Sequence, residues 1–104
     1  IKMPEFSNPF NGNKCERKLT KEELIRAIRF NIASEYEAIQ LYDQLAESID
    51  DNDAIKLLRE IADDEKVHAG NFLKLLEKLD PDESDFYKEG AKEASDIFDG
   101  KETD

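Results

Sequence analysis

From Leu19 onward the apolar residues return at alternating intervals of three and four, the spacing that places side chains on one face of an α-helix. Ile25, Ile28, Ile32, Glu35, Ile39, Tyr42, Ala46 and Ile49 form one such seam, and the pattern predicts a helix over about 21–48. Its start is marked by Thr20 and Glu23, an S/T-x-x-E capping box, with Leu19 and Leu24 placed to close a hydrophobic staple. A second seam, Leu58, Ile61, Glu65, His68, Phe72, Leu75 and Leu79, predicts a helix over about 54–79. Between them SIDDND, residues 48–53, reads as a short polar turn with Asp53 or a neighbour as N-cap, and so short a link makes the two helices antiparallel neighbours. Pro81 cannot continue the second helix and instead opens a third over about 81–98, with Asp80 as its cap and Glu83 reaching back. Phe86, Tyr87, Ala91, Ala94, Ile97 and Phe98 give this last helix an apolar side suited to a partner subunit, while Gly90 weakens its middle by about 1 kcal/mol.

Outside these three segments the periodicity fails. Pro4, Pro9, Gly12 and three asparagines make residues 1–19 an irregular arm, which Phe6 and Phe10 could fasten to a neighbour. Residues 99–104 read as a flexible tail, leaving 20–98 as the helical domain. The expected fold is all-α: two long antiparallel helices plus a short C-terminal helix, dimerising into a four-helix bundle.

Composition narrows the partners. A chain of 104 residues buries little core alone and gains from association. Its 26 acidic and 15 basic side chains leave a net charge of −11, which argues against nucleic acid and anionic membrane and favours cations. The apolar runs are far too short to span a bilayer, and no signal-peptide pattern opens the sequence. Met3 is a candidate start, since the chain opens on Ile1. With Cys15 the sole cysteine, neither an intrachain disulfide nor a cysteine-built zinc site can form, and a reducing cytoplasm is the expected setting.

Three residues break the seams: Glu35 on the first helix, Glu65 and the only histidine, His68, on the second. Glu65 and His68 are i and i+3, so they leave one helix face within a single turn. Antiparallel pairing about a turn near residue 51 sets positions summing to about 102 side by side, which brings Glu35 level with them. Buried ionisable groups without compensation are costly, and a divalent cation supplies it. One imidazole among carboxylate oxygens suits iron or manganese better than structural zinc. A di-iron bundle uses one Glu from each of two helices and a Glu-x-x-His from each of two others, so this chain carries half of the set. A two-fold homodimer would supply the other half, with four glutamates and two histidines around two iron ions at each dimer interface. Tyr42, on the same seam, is placed to hydrogen-bond a ligand or to be oxidised, though simple core packing explains it as well. Glu37 lies off the seam.

The stretch EYEAIQLYDQ at 35–44, followed after the turn by DDEKVH at 63–68, resembles the encapsulated ferritins, short members of the ferritin-like and rubrerythrin superfamily carried inside encapsulin shells. The signal is Glu-x-Glu, then Tyr-Asp-Gln, then Glu-x-x-His in a chain with only two long helices, and it spans about 20–98. The resemblance implies that Glu35, Glu65 and His68 are ferroxidase ligands shared across a two-fold interface. It also implies that Tyr42 lies close by and that Glu37 faces a position where metal comes in. It further implies homodimers assembled into a ring, a decamer, within the cytoplasmic nanocompartment of an encapsulin shell protein. Ser34 stands where some members have an acid, and Leu41 where some have tryptophan.

The leading expectation is therefore oxidation of Fe(II) to Fe(III) for iron storage, with oxygen or peroxide as acceptor. A rubrerythrin-like peroxide reductase would use the same ligands and require an external electron donor, because no Cys-x-x-Cys pair is present. The non-enzymatic alternative is a helical scaffold in which the same three residues hold a structural zinc or calcium ion.

Overall fold

The computed structural model describes residues 16–101, and every described element is helical. Most of the proposed N-terminal arm, with Phe6, Phe10 and Cys15, lies outside the described residues, as does the end of the tail. Helix α1 runs Lys21–Glu47, α2 Asn52–Leu79 and α3 Pro81–Phe98. No helix among the described residues is long and apolar enough to cross a membrane.

Each helix starts where a side chain satisfies free backbone N–H groups. Thr20 Oγ1 accepts from the Glu23 amide at 3.2 Å and Glu23 Oε1 accepts from the Thr20 amide at 2.9 Å, closing both halves of the capping box. Arg17 adds a two-pronged bond to the same carboxylate, and with the Thr20 amide this holds the Glu23 carboxyl down to about 2. Helix α2 begins two residues earlier than the apolar pattern indicates, because Asp51, not Asp53, is the cap and accepts from the Ala54 amide at 2.9 Å. The residues gained, Asn52 and Asp53, are polar and carry no periodic signal, and Asp53 in the first turn meets the positive end of the helix dipole. Asp80 both ends α2 and caps α3, accepting from the Glu83 amide. The Glu83 side chain does not reach back to the cap; it is drawn across to Arg29 of α1, a stronger charge-assisted partner. Gly100, at φ +76°, closes the end of α3 in the left-handed conformation that glycine adopts without strain.

Helices α1 and α2 form the antiparallel hairpin, and its core follows the α1 seam as read: Ile25, Ile28, Ile32 and Ala46 are buried. On α2 the predicted seam holds at Leu58, Glu65, Phe72 and Leu79, but Ile61, His68 and Leu75 give way to the residues that follow them. Ala62, Ala69 and Leu76 are the buried residues, at intervals of seven, and Leu58, Glu65, Phe72 and Leu79 complete a seam between them. Ile61, His68 and Leu75 lie about 100° round the helix, on its flank. The small alanines let α1 approach closely, which turns their larger neighbours outward. Leu76 with Ile25, Ile28 and Ile32 is the centre of the core, and Phe72 and Leu79 pack against it.

This core is small. Among the described residues seven apolar side chains are buried, none of them on α3, while fourteen large apolar ones remain exposed. Counting about 100° per residue, Leu57, Ile61, His68 and Leu75 line one flank of α2. Glu35, Ala38, Tyr42 and Leu45 line the flank of α1 on the same side of the hairpin.

A Cβ added at Gly90, in the exposed middle of α3, meets nothing within 4 Å. Gly90→Ala should therefore raise stability by about 0.5–1 kcal/mol in thermal unfolding of the unassembled chain. A lower melting temperature would contradict the open surroundings of this residue.

Candidate metal centre

Glu35 comes from the middle of α1, while Glu65 and His68 come from a single turn of α2. The hairpin register places them level, and one ligand atom from each lies within 4.8 Å of the other two. His68 Nδ1 is 3.6 Å from Glu65 Oε2 and 3.8 Å from Glu35 Oε2, too long for hydrogen bonds. Two ligands each about 2.1 Å from one cation stand roughly 3.0–3.4 Å apart, so small side-chain rotations close this arrangement around an ion.

Glu35 Oε2 is buried and has no hydrogen-bond partner among the described residues. An orphaned carboxylate oxygen is expensive in a helical core, and its two nearest polar neighbours point ligand atoms at the same space. The donor set of two carboxylates and one imidazole fits a divalent transition metal of the iron or manganese type.

The cluster is closed on one side only. The carboxylate side chains are 16% and 19% exposed for Glu35 and Glu65, but His68 is 51% exposed and faces outward along the hairpin flank. Three ligand atoms would satisfy half of a six-coordinate site, and further along the same flank Leu57, Leu75 and Leu45 are exposed among the described residues.

Tyr42 lies on the same flank two turns beyond Glu35, half-buried and outside the ligand group. Glu37 is exposed and sits about 200° round α1 from Glu35, so the two glutamates do not converge. Spacing alone gave no sign of the Arg29–Glu83 link, whose partners are 54 residues apart and belong to no motif.

The sequence profile of the rubrerythrin family matches residues 27–99, a span that contains all three ligand candidates. The chain is 39% identical over 90 residues to the encapsulin nanocompartment cargo protein EncC of Myxococcus xanthus, covering 86% of this chain and 68% of that one. It is 38% identical over 90 residues to a ferritin-like–encapsulin shell fusion protein of Pyrococcus furiosus, of which it spans 26%. The crystal structure of the encapsulated ferritin domain from Pyrococcus furiosus superposes with a TM-score of 0.78 at 35% identity, covering 90% of this chain and 95% of that domain. A hairpin that carries Glu on one helix and Glu-x-x-His on the next, matched over most of its length at this identity, belongs to the rubrerythrin family of ferritin-like helical proteins.

Proposed function

We propose that two copies of the chain join across the open flank and oxidise ferrous iron at the site they complete. The observation that carries this reading is the orphaned Glu35 oxygen beside Glu65 and a half-exposed His68, on a flank lined with uncovered apolar side chains. A second copy related by a two-fold axis presents the same flank to the first, and its three ligands make the set of four glutamates and two histidines that holds two ferrous ions. Four carboxylates balance the charge of two ferrous ions, whereas without metal they repel one another. Each ferrous ion gives up one electron. Dioxygen takes two electrons and two protons to become hydrogen peroxide, or peroxide takes two electrons and two protons to become two waters. In either case the carboxylates favour the more highly charged ferric product, and the imidazole of His68 fixes where the metal sits.

The names of the relatives support a place for this chemistry: one is an encapsulin cargo protein and another a ferritin-like domain fused to an encapsulin shell. On this reading the present chain also works beside an encapsulin shell, storing oxidised iron there as a ring of dimers, ten copies in all. The family match keeps a second reading in view, a peroxide reductase that returns electrons to the same site from a separate donor protein.

Adding ferrous iron without oxygen to the purified chain should convert lighter particles to dimers or multiples of dimers in light scattering, tightening association at least about tenfold. Admitting oxygen should then produce ferric absorbance faster than in buffer. Association that responds equally to zinc, with iron oxidised no faster than in buffer, would leave only the scaffold. Turnover sustained by a reduced electron donor and peroxide, with no accumulation of ferric iron, would identify the reductase.

A further inference from the structure

Helix α3 leaves the hairpin through the single residue Asp80, flanked by Leu79 of α2 and Pro81 of α3. It packs along α2 near that corner and has no backbone packing with α1. None of its residues is buried. An 18-residue helix is a lever of roughly 27 Å, so a rotation of about 10° at the corner moves its far end by roughly 5 Å. An isolated helix of this length is also marginal in water. Something beyond the corner must set its direction.

Among the described residues one hydrogen-bonded tie joins α3 to α1. Arg29, in the second turn of the core-forming stretch of α1, reaches across to Glu83 in the first turn of α3. Its Nε donates to Oε1 at 2.9 Å and to Oε2 at 3.2 Å, and Nη2 donates to Oε1 as well. From one turn further along α3, the Tyr87 hydroxyl donates to Glu83 Oε2. The Glu83 side chain is only 14% exposed between these partners. A guanidinium fork on a carboxylate fixes an angle as well as a distance, which a point charge would not.

We propose that Arg29, Glu83 and Tyr87 form a latch that holds α3 at one set angle to the hairpin, making it a rigid arm with its apolar side presented outward. The groups facing the latch carboxylate are Arg29 from α1 and Tyr87 from α3, and Asp80 at the corner adds favourable charge beside Arg29. The Arg29 bonds, followed by the Tyr87 bond, hold the Glu83 carboxyl below its ordinary range. The latch is therefore closed throughout neutral pH and opens only as pH falls through that lowered value. This proposal is independent of what the metal centre does.

Amide hydrogen exchange on the full, metal-free chain, at a concentration where light scattering finds it unassembled, tests the latch. Residues 84–98 report the arm, and residues 25–46 of the same molecule report whether the hairpin is folded. Glu83→Gln and Arg29→Met should each speed exchange in 84–98 by about fivefold or more with no change in 25–46, and the double variant should add nothing further. Arg29→Lys should also loosen the arm, because it keeps the charge and loses the fork. Unchanged exchange in 84–98, additive effects in the double variant, or full protection retained by Arg29→Lys would each overturn the proposal.

Discussion

On the proposed ferroxidase reading, replacing His68 with alanine should lower aerobic ferrous oxidation by about a hundredfold or more, to the rate of iron in buffer, while the chain keeps its fold. The size follows from the ligand count: altering a residue that merely orients a ligand costs about 10–100-fold, and in the proposed dimer His68→Ala would remove a ligand outright from both halves of the site. The fold should survive because His68 is 51% exposed on a helix flank, where alanine is the better helix former. Ferric absorbance measured beside the wild type, with circular dichroism as a check on folding, decides the matter. Equal rates in the two proteins would end the ferroxidase reading. Glu35→Leu offers the complementary contrast. It removes the orphaned buried oxygen and so should leave the metal-free chain as stable as before or more stable by about 1–3 kcal/mol, yet abolish the response to iron. A residue kept at a cost to the empty fold, and required once metal is present, is what a binding role demands.

Replacing Leu76 with alanine destabilises the metal-free chain by about 2–5 kcal/mol, whereas Leu75→Ala at the adjacent position costs it less than about 1 kcal/mol. Leu76 is 2% exposed in the cluster with Ile25, Ile28 and Ile32, so its loss leaves a cavity that rigid helix backbones cannot fill. Leu75, 37% exposed, lies two turns along the same flank of α2 from His68. Its truncation should show instead as weaker association when iron is added, if the second copy docks there. Urea unfolding of both variants measures the first effect and light scattering with ferrous iron the second. Equal destabilisation by the two substitutions would mean that the α2 seam does not run through Leu76.

These two positions mark where sequence reading stopped. The extents of α1 and α3 were legible, because caps and breakers are local: Thr20 with Glu23, and Asp80 with Pro81, need only their own neighbours in the chain. The start of α2 slipped by two residues because its first turn is polar and Asp51, Asn52 and Asp53 compete for the cap. The pairing of Glu35 with Glu65 and His68 was legible too, since a short turn and a rise of 1.5 Å per residue determine which positions stand level in an antiparallel hairpin.

The choice of facing residues on α2 was not legible. Ile61 and Ala62, His68 and Ala69, and Leu75 and Leu76 are adjacent pairs that fit the same three–four spacing, and large apolar residues look like better core than alanines do. Packing reversed that preference: two long helices approach most closely where side chains are smallest, so Ala62 and Ala69 face α1. The same rotation leaves His68 half-exposed at the edge of the Glu35–Glu65–His68 cluster, which is open on that side. Arg29 and Glu83, far apart in the chain, meet only because the corner at Asp80 sets the first turn of α3 within side-chain reach of α1. Local chemistry in the sequence thus determined the helices and the level at which the ligands stand. Close packing between helices alone decided which sides are covered, because that choice depends on the volumes of residues from both helices together.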